Sequence, residues 1–147
     1  MKQLTSRLFA VLFVVGLSIM SFNASAAKDF AEEKIVLQIS DPNPFKQTLV
    51  LNVAGNLIKH YGTDGVEIEI VAFGPGLRLL FAENANKNRI NSLAAEGVTF
   101  SACENTVRNM GKILGHPPEL TDKAVSVSAG VVQIIKLQSE GYKLIKP

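Results

Sequence analysis

A single cysteine, Cys103, is present in the 147-residue sequence. An intrachain disulfide is therefore excluded, and the chain must be stabilised by packing. Basic clusters are missing as well. Proteins that hold nucleic acid show a basic face with interleaved aromatics, and neither feature is visible. No low-complexity segment, internal repeat or Pro/Gly-rich linker divides the sequence. After Ala26 no run is long and apolar enough to cross a bilayer. His60 and His116 are the only histidines, and neither has a partner at metal-ligand spacing. Neither a metal centre nor a resident cofactor is expected.

What is present begins with an export signal. The opening "MKQLTSR" carries Lys2 and Arg7 and no acid, and "LFAVLFVVGLSIM" from Leu8 to Met20 is apolar. Ala24-Ser25-Ala26 then gives the small-x-small pattern of a cleavage site. The apolar run is shorter than a membrane span, and no "LxxC" lipid-attachment pattern accompanies it. Cleavage after Ala26, with delivery to the periplasm, is the expected outcome. Losing Lys2 and Arg7 reduces fifteen Lys and Arg to thirteen, against thirteen Asp and Glu. The formal charge of residues 27–147 is then zero, and the basic pI of the precursor has no bearing on partners. That length suits one domain with one core.

Strand and helix signals alternate along this domain. "KIVLQIS" (34–40) reads as a first strand. Asn43 is placed to cap a helix with Pro44 at its first position, and the apolar spacing continues to Tyr61. "VEIEIVAF" (66–73) is a second strand. "GPG" at Gly74–Gly76 closes it, and "LRLLFAE" reads as helical. A short helix carries Ile90, Leu93 and Ala94. "VTFSA" (98–102) is a third strand, followed by a helix over 103–114. "AVSVS" (124–128) is a fourth strand. A helix over 129–141 follows, with Ser128 as its cap, and "YKLIK" (142–146) is a fifth strand. Such alternation implies an α/β fold with a largely parallel sheet covered on both faces. Ligands and chemistry collect beyond the carboxyl ends of such strands, and Cys103 falls on that edge.

Ser101-Ala102-Cys103-Glu104 has the S-x-x-E form of a capping box. The Ser101 hydroxyl would then accept from the Glu104 N–H, and the Glu104 carboxylate would reach back to Ser101. Cys103 would be the second helical residue, where free N–H groups and the helix dipole favour thiolate. Glu104 opposes this, and Arg108 one turn on offsets Glu104. The other reading is a buried free cysteine acting as a small hydrophobe.

"GVTFSACENTVRNMG", "VSVSAGVVQIIKLQSEGYKLIKP" and "KIVLQISDPNPFKQTLVLNVAGNLIKHYG" together resemble the DsrE/DsrF-like family over nearly all of residues 27–147. The likeness is to its small exported branch, with "GV-x-F-x-x-C-x-N-T" and an "AGV…LQ…GY…P" ending. The resemblance implies a three-layer α/β/α sandwich with a five-stranded, mainly parallel sheet, and often a homo-oligomer. In the family's sulfur-relay members, a cysteine after the third strand carries persulfide between proteins, and Cys103 occupies that place. Those members work in the cytoplasm with sulfur donor and acceptor proteins, whereas this chain carries an export signal and no second thiol.

Two functions follow as expectations. One is sulfane-sulfur or thiol handling with Cys103 as the persulfide carrier and, at most, sulfurtransferase-like turnover. The other is a non-enzymatic oligomeric module that binds a small anion or a protein partner. Its cleft would be edged by Asn43, Gly74, Gly76, Ser101 and Glu104. "FGPGLR" is compatible with an anion-holding helix start or with a plain strand–helix turn, and it matches no nucleotide-binding fingerprint. His116 lies beyond the helix that Cys103 begins, so a Cys–His pair within one subunit is not expected.

Overall fold

The computed structural model describes residues 31–147. The expected signal, residues 1–26, lies outside them. The elements run β1 (Glu33–Ile39), α1 (Pro44–Tyr61), β2 (Val66–Ala72), a 3-10 segment (Gly74–Leu80), α2 (Lys87–Ala95), β3 (Thr99–Cys103), α3 (Glu104–Leu114), β4 (Ala124–Val127), α4 (Gly130–Ser139) and β5 (Lys143–Ile145). All five strands join one parallel sheet in the order β4-β3-β2-β1-β5. The fold is the α/β sandwich that the alternation implies.

The strand order dictates where the helices go. The chain steps outward from β1 to β2, β3 and β4, always in the same direction. Right-handed crossovers then place every intervening helix on one face of the sheet. Only the return from β4 to β5 runs the other way, so α4 alone crosses the opposite face. The core follows this division. Leu37, Ile70, Phe100 and Ala102 pack with Val50, Leu51 and Ala54 of α1 and with Ile90 of α2, and Val107 and Met110 of α3 lie against the same cluster. On the other face Val36 and Val71 meet Ile134, Leu137 and Tyr142. That second layer is thin: Val125 and Leu144, in register with Ser101 and Val36, stay partly open to solvent.

Local chemistry explains the connections and corrects some expectations. Asn43 caps α1 as expected, accepting from the Phe45 N–H at 2.9 Å, with Pro44 at the first position. The "LRLLFAE" stretch is not an α-helix. Gly74–Leu80 forms a tighter 3-10 segment held against the end of β1. Gly76 makes this possible, because a Cβ there would lie 2.4 Å from the Ile39 carbonyl oxygen. Ser128 does not cap α4. Ala129 is the cap residue, and no side chain serves it. Glu33 is the first residue of β1 and accepts from Lys143 of β5 at 2.5 and 2.7 Å.

Gly76→Ala is expected to lose about 1–3 kcal/mol of stability, the usual cost of overpacking. A lower urea midpoint with an unchanged slope would show it.

Candidate functional site

The site sits where β3 ends. Cys103 is the last residue of β3, paired with Val127 of β4, and it is also the residue before the first turn of α3. The strand thus runs one residue further than the sequence suggests, and the predicted capping box does not form. Side chains alternate along a strand, so Ser101 and Cys103 share a face, the one covered by α4. Ser101 is almost completely buried there and donates to Glu69 Oε1 at 2.5 Å. Glu104 instead turns along α3 and forms an exposed ion pair with Arg108 at 3.5 Å. Arg108 therefore offsets Glu104, as expected, while Ser101 has no part in capping.

The residue that replaces the capping box is Thr106. Its Oγ1 accepts from the Gly74 N–H at 2.8 Å. A hydroxyl has one hydrogen and two lone pairs, so the Thr106 hydrogen is free to point elsewhere. The Thr106 hydroxyl and the N–H groups of Gly130, Thr106 and Asn105 favour the thiolate form of Cys103. The Cys103 side chain makes no cap hydrogen bond, and these groups act on it as nearby dipoles. Burial disfavours thiolate here, with Cys103 only 5% exposed. The four donors outweigh it and hold the thiol below its ordinary range. Desolvation and hydrogen-bond dipoles oppose each other, and the dipoles win.

One donor comes from a different helix. Gly130 opens α4, and its N–H is the one donor that does not belong to α3. A Cβ at Gly130 would lie 2.9 Å from Phe73 Cβ and Cδ1. Only glycine lets α4 start this close to the end of β2.

The other predicted residues divide. Gly74, with φ +52°, belongs to the site through Thr106. Gly76 serves the packing of the 3-10 segment. The Asn43 side chain is used in capping α1. Within the expected cleft-edge set these three residues thus have separate local roles. His116 Nδ1 lies 3.0 Å from the Pro117 carbonyl oxygen, past the end of α3. Eleven helical residues, roughly 16 Å, separate it from Cys103. No group of three or more His, Cys, Asp and Glu that could hold a metal occurs among the described residues. None of the described helices is long and apolar enough to cross a membrane.

No protein-family model matches the chain. No curated protein sequence matches it either. Solved structures do. MTH1491 from Methanobacterium thermoautotrophicum, a protein of unknown function, superposes with a TM-score of 0.70 at 28% identity, over 78% of this chain and 99% of that one. The ychN protein from E. coli superposes with a TM-score of 0.58 at 16% identity, again over 78% of this chain and 99% of that one. Both solved structures share the α/β fold of the present chain. The resemblance to the DsrE/DsrF-like family is thereby supported at the level of the fold.

Replacing Thr106 by Val removes one donor to the sulfur and leaves the others. Alkylation of Cys103 by iodoacetamide should be about three- to tenfold slower near pH 6.5, the net worth of one ordinary hydrogen bond. The native rate should reach half its maximum below the value of about 8.5 for a free cysteine. Gly130→Ala should shift the profile in the same direction as Thr106→Val.

Proposed function

We propose that this is an exported DsrE/DsrF-like protein that handles sulfane sulfur, with Cys103 as its persulfide-carrying thiol. The observation that supports this best is the place of the lone thiol, buried at the carboxyl end of β3 where α3 begins, with its pKa held below the ordinary range despite that burial. In the proposed step, the Cys103 thiolate attacks the outer sulfur of an organic persulfide. A new S–S bond forms at Cys103 and the donor's S–S bond breaks. The electron pair leaves with the donor as its thiolate, so no external oxidant is consumed. Hand-off to an acceptor thiolate reverses these roles. The chain contains no second thiol to expel the bound sulfur as a disulfide.

Association of copies also belongs to this reading. Val131, Val132 and Ile135 stand 54%, 60% and 61% exposed on the outer side of α4. A contiguous apolar strip of this kind is usual at protein–protein contacts, which favours a homo-oligomer. It equally supports the alternative of a non-enzymatic binding module, in which the donors around Cys103 would hold a small anion or meet a protein partner.

Protein exposed to an organic persulfide should gain about 32 Da, one sulfur atom, in intact mass. Cys103→Ser should gain nothing. Absence of the adduct on the native thiol, or an equal gain in the variant, defeats the carrier reading. Anion binding and cellular function that persist in Cys103→Ser would favour the binding module. For export, protein recovered from the periplasm should begin at Ala27; an intact residue 1 there defeats the cleavage reading.

A further inference from the structure

One buried acid is used by nothing described so far. Glu69 projects from the middle of β2 onto the face that α4 covers and is only 8% exposed. Strand positions of this kind are normally filled by Val or Ile, because a carboxylate loses its hydration on burial. Here the charge has partners on two different elements. Ser101 of β3 donates to its Oε1 at 2.5 Å, and Gln133 of α4 donates to the same oxygen at 2.9 Å. Both partners stand beside the thiol site. Ser101 is two residues before Cys103 on the same strand face, and Gln133 is one helical turn after Gly130.

We propose that Glu69 is a positioning residue for Cys103: its carboxylate ties α4 to β3 and so fixes the Gly130 N–H against the sulfur. This rests on the reading that Cys103 is the working thiol. The need for such a tie follows from the topology. Three of the four donors at Cys103 ride on α3 itself and move with the cysteine. The fourth rides on α4, the single helix of a thin layer. Apolar contacts through Ile134 and Leu137 hold α4 down on the sheet, but they are non-directional. The paired hydrogen bonds at Glu69 fix its register.

Two further titratable groups lie near this carboxylate. Tyr142, ahead of β5, has its phenol pushed far up by burial, by a hydrogen bond to Glu67 and by the charges of Glu67, Glu69 and Glu140. It therefore stays neutral throughout the range tested below. Glu67 lies on the same face of β2 and pairs with Lys34 at 3.7 Å.

The test is the pH profile of iodoacetamide alkylation on full-length protein from which the signal has been cleaved. Glu69→Leu keeps the volume and removes the acceptor. Its alkylation near pH 6.5 should fall about three- to tenfold, the net worth of one ordinary hydrogen bond. The difference should vanish above about pH 10, where both proteins are fully thiolate. Glu69→Gln keeps an acceptor oxygen and should restore the native profile. Gln133→Ala, which breaks only the α4 half of the tie, should reproduce the loss and decides the matter if Glu69→Leu does not fold. Unchanged profiles in Glu69→Leu and Gln133→Ala overturn the proposal. So does faster alkylation in Glu69→Leu, which would make Glu69 merely a repelling charge, or a loss in Glu69→Gln equal to that in Glu69→Leu. A loss persisting at high pH would show general loosening and also overturns it. Alkylation needs no sulfur donor, so these outcomes are independent of whether Cys103 carries persulfide.

Discussion

The Cys103 sulfur lies between the starts of two helices, and the contact of Gly130 with Phe73 sets how closely they meet. A buried thiol on its own would be pushed toward the neutral form and would behave as a small hydrophobe. Donors from α3 go part of the way toward reversing this, and they come automatically with the strand-to-helix turn. The donor from α4 does not. It requires that the chain leave β4, turn, and begin a helix against the end of β2 with no Cβ in between. The placement of Cys103 at the last rung of β3, opposite Val127, brings the two helix starts into line.

The strand order supplies the larger frame. Because β5 returns beside β1, the order reverses between those two strands, and a switch-point crevice would open there. Cys103 lies elsewhere, between the ends of β3 and β4. It is thus not placed in the crevice where open sheets usually hold nucleotides. Its setting is a junction of helix N-termini, suited to a small negative charge on one atom. That fits a chain with neither a glycine-rich nucleotide fingerprint nor a ligand-spaced metal set.

Much of this was legible in the residues. Period-two and 3.6-residue spacing locate all five strands and four helices, because each element must turn its apolar side to the same core. Asn43-Pro44 announces the start of α1, since capping is decided within a few residues. The errors fall where a distant partner outvotes a local signal. Ser101-x-x-Glu104 is a sound capping pattern, yet Ser101 is held in β3 by ladders on both sides and spends its hydroxyl on Glu69, 32 residues away. Gln133 meets the same carboxylate from 64 residues away. Pairings at that range leave no trace in one sequence. Thr106 and Gly130 were within reach. They lie inside the "C-x-N-T" and "AGV" blocks that carry the family resemblance, and an adjacent hydroxyl and a helix-opening glycine are plausible company for a thiolate.

For a sulfur carrier, the same donors would act twice. A thiol held partly as thiolate is ready to attack a sulfane sulfur at neutral pH. In the hand-off, Cys103 is the leaving group, and a thiol of lower pKa leaves faster. A strongly depressed pKa would defeat the first step, because intrinsic nucleophilicity falls with basicity. Burial opposes the donors at Cys103, and the net effect lowers the thiol's pKa. The linkage to folding has the corresponding sign. Since the folded thiol has the lower pKa, thiolate formation adds to stability in full above the unfolded value. That increment fades as pH falls through the folded value. The added sulfur also moves the site of charge outward by about 2 Å, one S–S bond length. Donors aimed at the inner sulfur then favour its release over its retention, as a carrier requires.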